Sequence, residues 1–378
     1  MKRDSILAYS VLLQSVLAIV QLILPMYGLY TVERAADVRV YATLLLVAPC
    51  IYIVFRRNLK SLLIPFAIYF SLLLLHYIIF PASHTFIESR KALTLTPICI
   101  LSGIFVYNIR NLEKFKRAFL VISHISFPLA VLFIWGSLYS PFLLDESKYD
   151  MSFGYTILLP TLYLFIQDNG WDKAISIIMW LLIVYGASRG PAVVAVFFYL
   201  ISILFYSNFK KKKKFKFWNF AIFFAIILSV FAFLPKLIDF QSSRTVMLFE
   251  EGEGFTHDSN RNVIWDQVIT RISESPILGN GIGSDWYFIG GYCHNFFLEI
   301  TLHYGFLVAG IFCLYILYLS FSIFKDKRKL ACNLDKQLYL LVLLCGFMPL
   351  MVSSSYLLNA NFGLAIGYLY RYKSYKIF

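Results

Sequence analysis

Residues 290–306, GGYCHNFFLEITLHYGF, place an imidazole, an amide and a carboxylate at the start of a long apolar segment. These side chains belong to His294, Asn295 and Glu299. The ordinary pKa of histidine is about 6.5, so an imidazole can accept or donate a proton near neutral pH. His294 is therefore a candidate acid or base. A buried, hydrogen-bonded histidine with a purely structural role is the competing interpretation.

Three arginines are candidates for binding an anion, because a guanidinium stays charged and offers planar, bidentate donors to phosphate. Arg189 lies in SRGP, residues 188–191, between two apolar runs. Arg261 and Arg244 lie further along the chain. A snorkelling arginine at a helix end is the alternative for Arg189, and a solvated surface arginine is the alternative for the other two.

Residues 257–284, HDSNRNVIWDQVITRISESPILGNGIGS, predict an amphipathic helix followed by a glycine-rich turn. Ser259 or Asn260 would cap the helix, which puts Arg261 in its first turn. A positive charge there interacts unfavourably with the helix dipole. An anion bound at the same site would compensate for this and would explain an arginine at that position. The apolar face of this helix consists of residues at helical spacing: Val263, Ile264, Val268 and Ile272. We also consider a second helix over residues 294–303.

Motifs for metals and nucleotide cofactors are missing from the sequence. The six cysteines include no Cys-x-x-Cys pair, and no HEXXH sequence occurs. Residues 279–283, GNGIG, lack the preceding strand and the spacing of a dinucleotide-binding fingerprint. We therefore expect no disulfide framework, no metal site and no cofactor.

A strongly apolar chain must position these residues, since 60% of its 378 residues are hydrophobic. Soluble proteins have a smaller apolar fraction. Apolar runs recur from end to end and predict an all-α integral membrane protein, one polytopic domain over residues 1–378 with about 12 transmembrane helices in the bilayer. The last two runs are short and could be one span plus a re-entrant segment. The runs lie near residues 6–30, 39–55, 61–80, 93–108, 118–140, 153–167, 174–187, 192–207, 218–234, 304–324, 337–353 and 355–370.

The charges of the loops predict an orientation. Lys and Arg concentrate in alternate loops, including the lysine run Lys210–Lys214, which we interpret as a cytoplasmic anchor. By the positive-inside rule, both chain ends are then cytoplasmic, and residues 235–303 form one large periplasmic loop with short amphipathic helices. Topology thus accounts for the net charge of +13, and we expect no nucleic-acid partner.

Three segments, in order, resemble the O-antigen polymerase and ligase superfamily of bacterial envelope glycosyltransferases. The first is SRGPAVVAV, which contains Arg189. The second, SNRNVIWDQVITRISESPILGNGIGS, is similar to the family's Arg…Trp…Pro-hydrophobic-Gly-x-Gly block. The third is HNFFLEITLHYG, where ten residues separate His294 from Gly305. The resemblance covers residues 185–310. It departs at Val308, where many members have a second glycine.

The resemblance implies a GT-C-like helical fold and a glycan transfer at the outer face of the bacterial inner membrane. The donor would be an undecaprenyl-diphosphate-linked glycan, with no metal or nucleotide sugar needed. A polymerase uses another lipid-linked repeat unit as acceptor, whereas a ligase uses lipid A–core. The resemblance also points to a chain-length-regulating membrane protein and a flippase as partners.

We hypothesise a role for each candidate residue in such a transfer. His294 would position the acceptor hydroxyl or take its proton, with inversion at the anomeric carbon. Asn295 and Glu299 would bind sugar hydroxyls or orient His294, and Glu299 is an alternative base. The leaving diphosphate would be bound by Arg189, Arg261 and Arg244.

Three functions fit these features. We favour a polymerase of O-antigen or capsular polysaccharide over a ligase, because the chain is compact and shows no extra basic surface for phosphorylated lipid A–core. A transporter or flippase for a lipid-linked glycan is the alternative from another class. Such proteins usually show repeat symmetry and charges near the membrane midplane. In this sequence, by contrast, the polar candidates concentrate around one outer loop.

Overall fold

The computed structural model describes residues 2–139, 151–186, 189–203, 261–325 and 332–374. Regular structure within these ranges is helical, with no strand, which agrees with the predicted all-α class. The predicted span at 218–234 lies outside the described residues, as do Arg244, the lysine run and the proposed capping residues Ser259 and Asn260.

The α-helices of the described ranges are numbered here in chain order. Two short 3-10 helices, Pro81–Ser83 and Met348–Met351, lie between them. The α-helices are α1 (Lys2–Met26), α2 (Val32–Ile79), α3 (His84–Ile87), α4 (Arg90–Tyr107), α5 (Leu112–Tyr139), α6 (Met151–Phe165), α7 (Gly170–Tyr185), α8 (Arg189–Ile201), α9 (Arg261–Glu274), α10 (Asp285–Phe288), α11 (Phe296–Lys325), α12 (Asn333–Phe347) and α13 (Ala360–Ser374).

Six helical segments of the described chain are long and apolar enough to cross a membrane. Two shorter apolar helices, Ser152–Phe165 and Gly190–Ile201, accompany them. A helix of about 20 apolar residues spans the hydrocarbon core of a bilayer, so these lengths indicate a membrane protein. The total of about 12 spans stays a prediction. The six segments are Lys2–Met26, Val32–Ile79, Arg90–Tyr107, Leu112–Ser137, Phe296–Lys325 and Asn333–Met351.

Helix α2 contains 48 residues and would be roughly 70 Å long if straight. It is interrupted at Asn58, whose backbone has φ −157° and ψ 79°. The Asn58 side-chain oxygen accepts a hydrogen bond from the Ser61 N–H at 3.3 Å, as an N-capping residue does. The two halves correspond to the predicted spans at 39–55 and 61–80.

The chain forms two compact units. The first comprises Met1–Ala18, Glu33–Ile122 and Asp258–Phe378, and the second comprises Ile19–Val32 and Ser123–His257. Arg261 and His294 therefore belong to the first unit, whereas Arg189 belongs to the second.

Close approach of α4 and α13 holds the first unit together. A Cβ atom on Gly363 would overlap the main-chain oxygen of Cys99, and one on Gly367 would overlap that of Gly103. Glycine thus allows the two backbones to meet, as small residues do between membrane helices. At the end of α13, the buried Arg371 donates from Nε to the Ile109 oxygen at 2.7 Å.

Polar contacts between α6, α7 and α8 join the second unit. The buried Ser176 hydroxyl of α7 donates to the Thr161 oxygen of α6 at 2.7 Å and contacts the Tyr199 hydroxyl of α8 at 3.0 Å. The Trp180 indole N–H donates to the Ala192 oxygen at 3.2 Å. Such hydrogen bonds add to van der Waals packing between membrane helices.

Candidate functional site

Helix α9 brings Arg261 to the candidate site, because Arg261 is its first residue. One stripe of α9 packs inward: Val268 and Ile272 are buried with Cys293 and Leu302. Ile264 packs against this cluster as well. The predicted apolar face was wrong at Val263, which is 55% exposed. Spacing of four residues along the helix therefore defines the buried stripe, and Val263 falls beside it.

A hydrogen bond fastens α9 to the segment that carries His294. The Trp265 indole N–H donates to the Cys293 carbonyl oxygen at 3.0 Å. Trp265 lies about one helical turn after Arg261, and Cys293 directly precedes His294. The arginine at the helix start and the histidine are thus held on two elements joined by a buried apolar cluster and this bond.

His294 has a left-handed backbone conformation with φ +54°, which no other non-glycine residue of the described chain adopts. This conformation disfavours residues with a Cβ, at a cost on the order of 1–3 kcal/mol. Helix α11 begins at Phe296, so His294 lies just before the helix and not within it. A histidine held in a disfavoured conformation at a helix mouth is typical of a functional position.

Asn295 caps helix α11. Its side-chain oxygen accepts hydrogen bonds from the main-chain N–H groups of Phe297, at 3.0 Å, and Leu298, at 3.3 Å. These donors have no partner within the helix, so an asparagine at this position stabilises the helix start. The oxygen of Asn295 therefore has a structural task. The predicted contact of Asn295 with a sugar stays a prediction.

The His294 imidazole lies in an environment that keeps it neutral. Its Nδ1 atom is buried and has no hydrogen-bond partner among the described residues. Burial lowers the pKa of His294 below 6.5, and the positive charge of Arg261 lowers the pKa further. A hydrogen bond with the Val352 main chain partly offsets this. The Tyr292 ring lies 4.5 Å from the imidazole, centroid to centroid. Arg261 and His294 are thus close enough to interact electrostatically.

The side chains of the other two predicted arginines, Arg189 and Arg244, lie outside the described part of the structure. Arg189 is the first residue of α8, and Pro191 lies in the first turn of that helix, where the missing N–H costs nothing. The predicted contacts of both arginines with a diphosphate stay predictions.

The glycine-rich turn after α9 docks onto a break in helix α11. The break lies at Gly305, which has φ +76°. Because the helix is interrupted there, neighbouring carbonyl groups can accept hydrogen bonds from another segment. The turn supplies two donors and receives one bond in return: Asn280 N to Leu302 O at 2.7 Å, Gly281 N to His303 O at 3.1 Å, and Phe306 N to Pro276 O at 2.8 Å.

Two glycines make this docking possible. Gly279 has φ +71°, and a Cβ atom on it would lie 2.6 Å from the main-chain nitrogen of Gly305. A Cβ atom on Gly305 would overlap the carbonyl of Ile277. Both positions thus require a left-handed backbone and leave no room for a side chain. The second and third motifs of the sequence meet at this contact.

Asp285, which follows this turn in the chain, belongs to a network of buried polar side chains. His303 Nε2 and Asp285 Oδ1 are 3.0 Å apart, and His303 Nδ1 is 2.8 Å from the Tyr356 hydroxyl. The Tyr356 hydroxyl donates to that of Tyr304 at 3.1 Å. No motif in the sequence predicted a role for Asp285, His303 or Tyr356.

Glu299 points into the same network and is fully buried. Its Oε1 atom accepts a hydrogen bond from the Ser355 hydroxyl. Its Oε2 atom has no partner of normal hydrogen-bond geometry among the described residues. The predicted roles of Glu299 in sugar binding and as an alternative base stay predictions. One signal could have linked it to the network: Glu299 and His303 are four residues apart, which places them on one face of a helix.

The fold and the site together define a helical membrane protein with an arginine and a neutral histidine at the mouth of a membrane helix. Residues 174–313 match the sequence model of the family described as O-antigen ligase. This match confirms the resemblance to the O-antigen polymerase and ligase superfamily, and it includes Arg189, Arg261 and His294. A search of curated proteins found no match to the chain.

Proposed function

We propose that the chain polymerises undecaprenyl-diphosphate-linked oligosaccharide repeat units into O-antigen or capsular polysaccharide at the outer face of the bacterial inner membrane. The family match over residues 174–313 supports a glycan transfer of this kind. One observation carries the proposal. The guanidinium of Arg261 is close enough to the His294 imidazole to lower its pKa, and Nδ1 of that imidazole has no hydrogen-bond partner among the described residues.

The guanidinium would bind the leaving group. Breaking the bond between the anomeric carbon and the diphosphate oxygen leaves an electron pair and a negative charge on that oxygen. Arg261 can stabilise this charge with two parallel donors. Its position at the start of the 14-residue helix α9 adds the partial positive charge of the helix N-terminus. Arg189 and Arg244 would add further charge.

The imidazole would take the proton of the acceptor hydroxyl. The hydroxyl oxygen attacks the anomeric carbon from the side opposite the diphosphate, so the configuration inverts, and its proton moves to Nδ1 of His294. A base needs a free lone pair. Nδ1 has no hydrogen-bond partner among the described residues, and in the tautomer with the proton on Nε2 it carries that lone pair. A positioned base contributes roughly 10²–10⁴-fold to a rate.

The identity of the acceptor distinguishes a polymerase from a ligase. A second lipid-linked repeat unit makes the chain a polymerase, which we favour because the sequence shows no additional basic surface for phosphorylated lipid A–core. An O-antigen ligase is the second candidate, and the description of the matched family favours it. In both cases a flippase would deliver the donor. A chain-length-regulating membrane protein would act only with a polymerase.

A gel of surface polysaccharide from a deletion strain tests the proposal. The strain is complemented with the wild type, with His294→Ala, or with the control His84→Ala, which changes the first residue of α3, where Nε2 lies 2.8 Å from the Tyr77 carbonyl oxygen. We expect lipid A–core with one repeat unit in the deletion and in His294→Ala, and full ladders with the control. Bare core with polymer accumulating on the lipid carrier would make the chain a ligase. An unchanged ladder in the deletion would contradict both functions.

A further inference from the structure

Asp285, Glu299 and His303 bring two carboxylates and an imidazole together inside the first unit. One ligand atom from each of the three lies within 4.8 Å of the others. Asp285 begins α10, and Glu299 and His303 lie on successive turns of α11. All three side chains are buried. The group therefore joins α10, which follows the glycine-rich turn, to the start of a membrane helix.

The charges of this group can be balanced by a cation. An ionised carboxylate is costly to bury without a compensating charge. Among the described residues, no lysine or arginine forms an ion pair with Asp285 or Glu299; the basic side chain paired with them is His303, which is charged only if protonated. One protonated imidazole would compensate one carboxylate, and the other then holds a proton or pairs with a cation. A divalent ion beside a neutral imidazole compensates both.

The hydrogen bonds of His303 also favour a cation. The Tyr356 hydroxyl donates to Tyr304, so it accepts a hydrogen bond from Nδ1–H of His303. In the neutral imidazole, Nε2 then carries a lone pair and faces the Asp285 oxygen at 3.0 Å. Two acceptors at this distance need a proton or a metal ion between them. Two neighbouring ligands of one ion, each at about 2.1 Å, are ~3.0 Å apart in an octahedral site and ~3.4 Å apart in a tetrahedral one.

The surroundings resemble the second shell of a metal site. A metal-binding histidine is usually oriented by a hydrogen bond from its other ring nitrogen, and Tyr356 provides that bond at 2.8 Å. Ser355 likewise holds Oε1 of Glu299. Oε2 is buried and lacks a hydrogen-bond partner of normal geometry within the described chain. The Tyr356 main chain also interacts with this carboxylate. A buried carboxylate oxygen without a hydrogen bond of normal geometry, beside two other ligands, can donate to an ion.

We propose that Asp285, Glu299 and His303 bind one divalent first-row transition-metal ion of the Zn²⁺ or Mn²⁺ class. The donor set of one nitrogen and two oxygens suits such ions, whereas Ca²⁺ and Mg²⁺ prefer oxygen ligands alone. The ion fastens the turn after α9, the mouth of α11 and the segment containing Tyr356. It takes no part in the glycan transfer, where arginine binds the diphosphate, so this proposal stands or falls independently of the proposed function.

Metal binding to the purified full-length chain tests the proposal. The chain is stripped with a chelator and titrated with Mn²⁺, and electron paramagnetic resonance measures the free ion. We expect one bound Mn²⁺ per chain, displaced by Zn²⁺, and no binding at this site in Glu299→Gln or His303→Gln. The matched control is His124→Gln, because His124 pairs with Asp172 at 2.9 Å but belongs to no such three-residue group within the described residues. It should bind like the wild type.

Tyr356→Phe keeps the proposal testable if the ligand variants do not fold. This change removes one hydroxyl and keeps the ring, and loss of an outer-shell partner should weaken Mn²⁺ binding about 10–100-fold. Gel filtration and thermal unfolding check the fold of each variant. The proposal is overturned if the wild type neither binds Mn²⁺ nor gains thermal stability with Zn²⁺. It is equally overturned if Tyr356→Phe and every folded ligand variant bind Mn²⁺ like the wild type.

Discussion

The indole of Trp265 and the carbonyl of Cys293 are joined by a hydrogen bond of 3.0 Å that links helix α9 to the residue preceding His294. Arg261 is at the start of the same helix. The position of the guanidinium relative to the imidazole therefore depends on this bond and on the apolar cluster around Val268 and Cys293. Loss of the bond should disturb the site more than the fold.

Trp265→Phe removes the donor and keeps an aromatic ring. A net contribution of about 0.5–1.5 kcal/mol from a single hydrogen bond predicts a small loss of thermal stability. Polymer formation should fall by a larger factor, because misplacement of a catalytic group is costly. Trp171→Phe is the control, since Trp171 is 69% exposed. Equal polymer yields from the two variants would show that this bond does not position the site.

Arg261→Gln should change the pH dependence of transfer. The charge of Arg261 lowers the pKa of His294, after burial, which is the larger cause. Without that charge the pKa of His294 rises, so protonation inactivates the base at a higher pH. The acid limb of the rate–pH profile of purified protein should move to higher pH, in addition to an overall loss of rate.

Arg271→Gln is the control for this profile. Arg271 lies on the same helix but forms an ion pair with Glu274, and its loss should leave the acid limb in place. An acid limb that stays at the wild-type pH in Arg261→Gln would remove His294 from the role of base.

Arg189→Lys should largely abolish polymer although the charge is kept. Lysine lacks the planar pair of donors with which arginine binds a diphosphate. Arg271→Lys serves as the matched change at an exposed ion pair and should have no effect. Long polymer chains from a strain expressing Arg189→Lys at the wild-type level would disprove a bidentate contact.

Gly305→Ala should destabilise the docking of the glycine-rich turn. An added Cβ would overlap the Ile277 carbonyl, and φ is +76°, a conformation that costs a residue with a Cβ roughly 1–2 kcal/mol. Gly310→Ala on the same helix is the control, because nothing lies within 4 Å of its added Cβ. Thermal unfolding compares the two. Equal midpoints would mean that the contact between the turn and the helix break is dispensable.

Local patterns in the sequence predicted the local structure well. The apolar spacing predicted helix α9, which spans Arg261–Glu274, and the glycine-rich turn after it. These features depend on residues near each other in the chain or on one helix. That Arg261 and His294 act in one site stays a prediction.

Contacts between distant residues could not be predicted in the same way. Asp285 and His303 are 18 residues apart, and His303 and Tyr356 are 53 apart. No spacing rule relates such positions, because the turn docked at Gly305 brings them together. The left-handed backbone of His294 was missed for a similar reason, since local propensity disfavours it and the surrounding structure imposes it.

The most direct test of the central claim is transfer by purified protein with a lipid-linked repeat unit as the only substrate, comparing the wild type with His294→Ala. The wild type should release undecaprenyl diphosphate and form oligomers of the repeat unit, and His294→Ala should be slower by roughly 10²–10⁴-fold at neutral pH while remaining folded. Equal rates from the two proteins would contradict the assignment of His294 as the base that activates the acceptor.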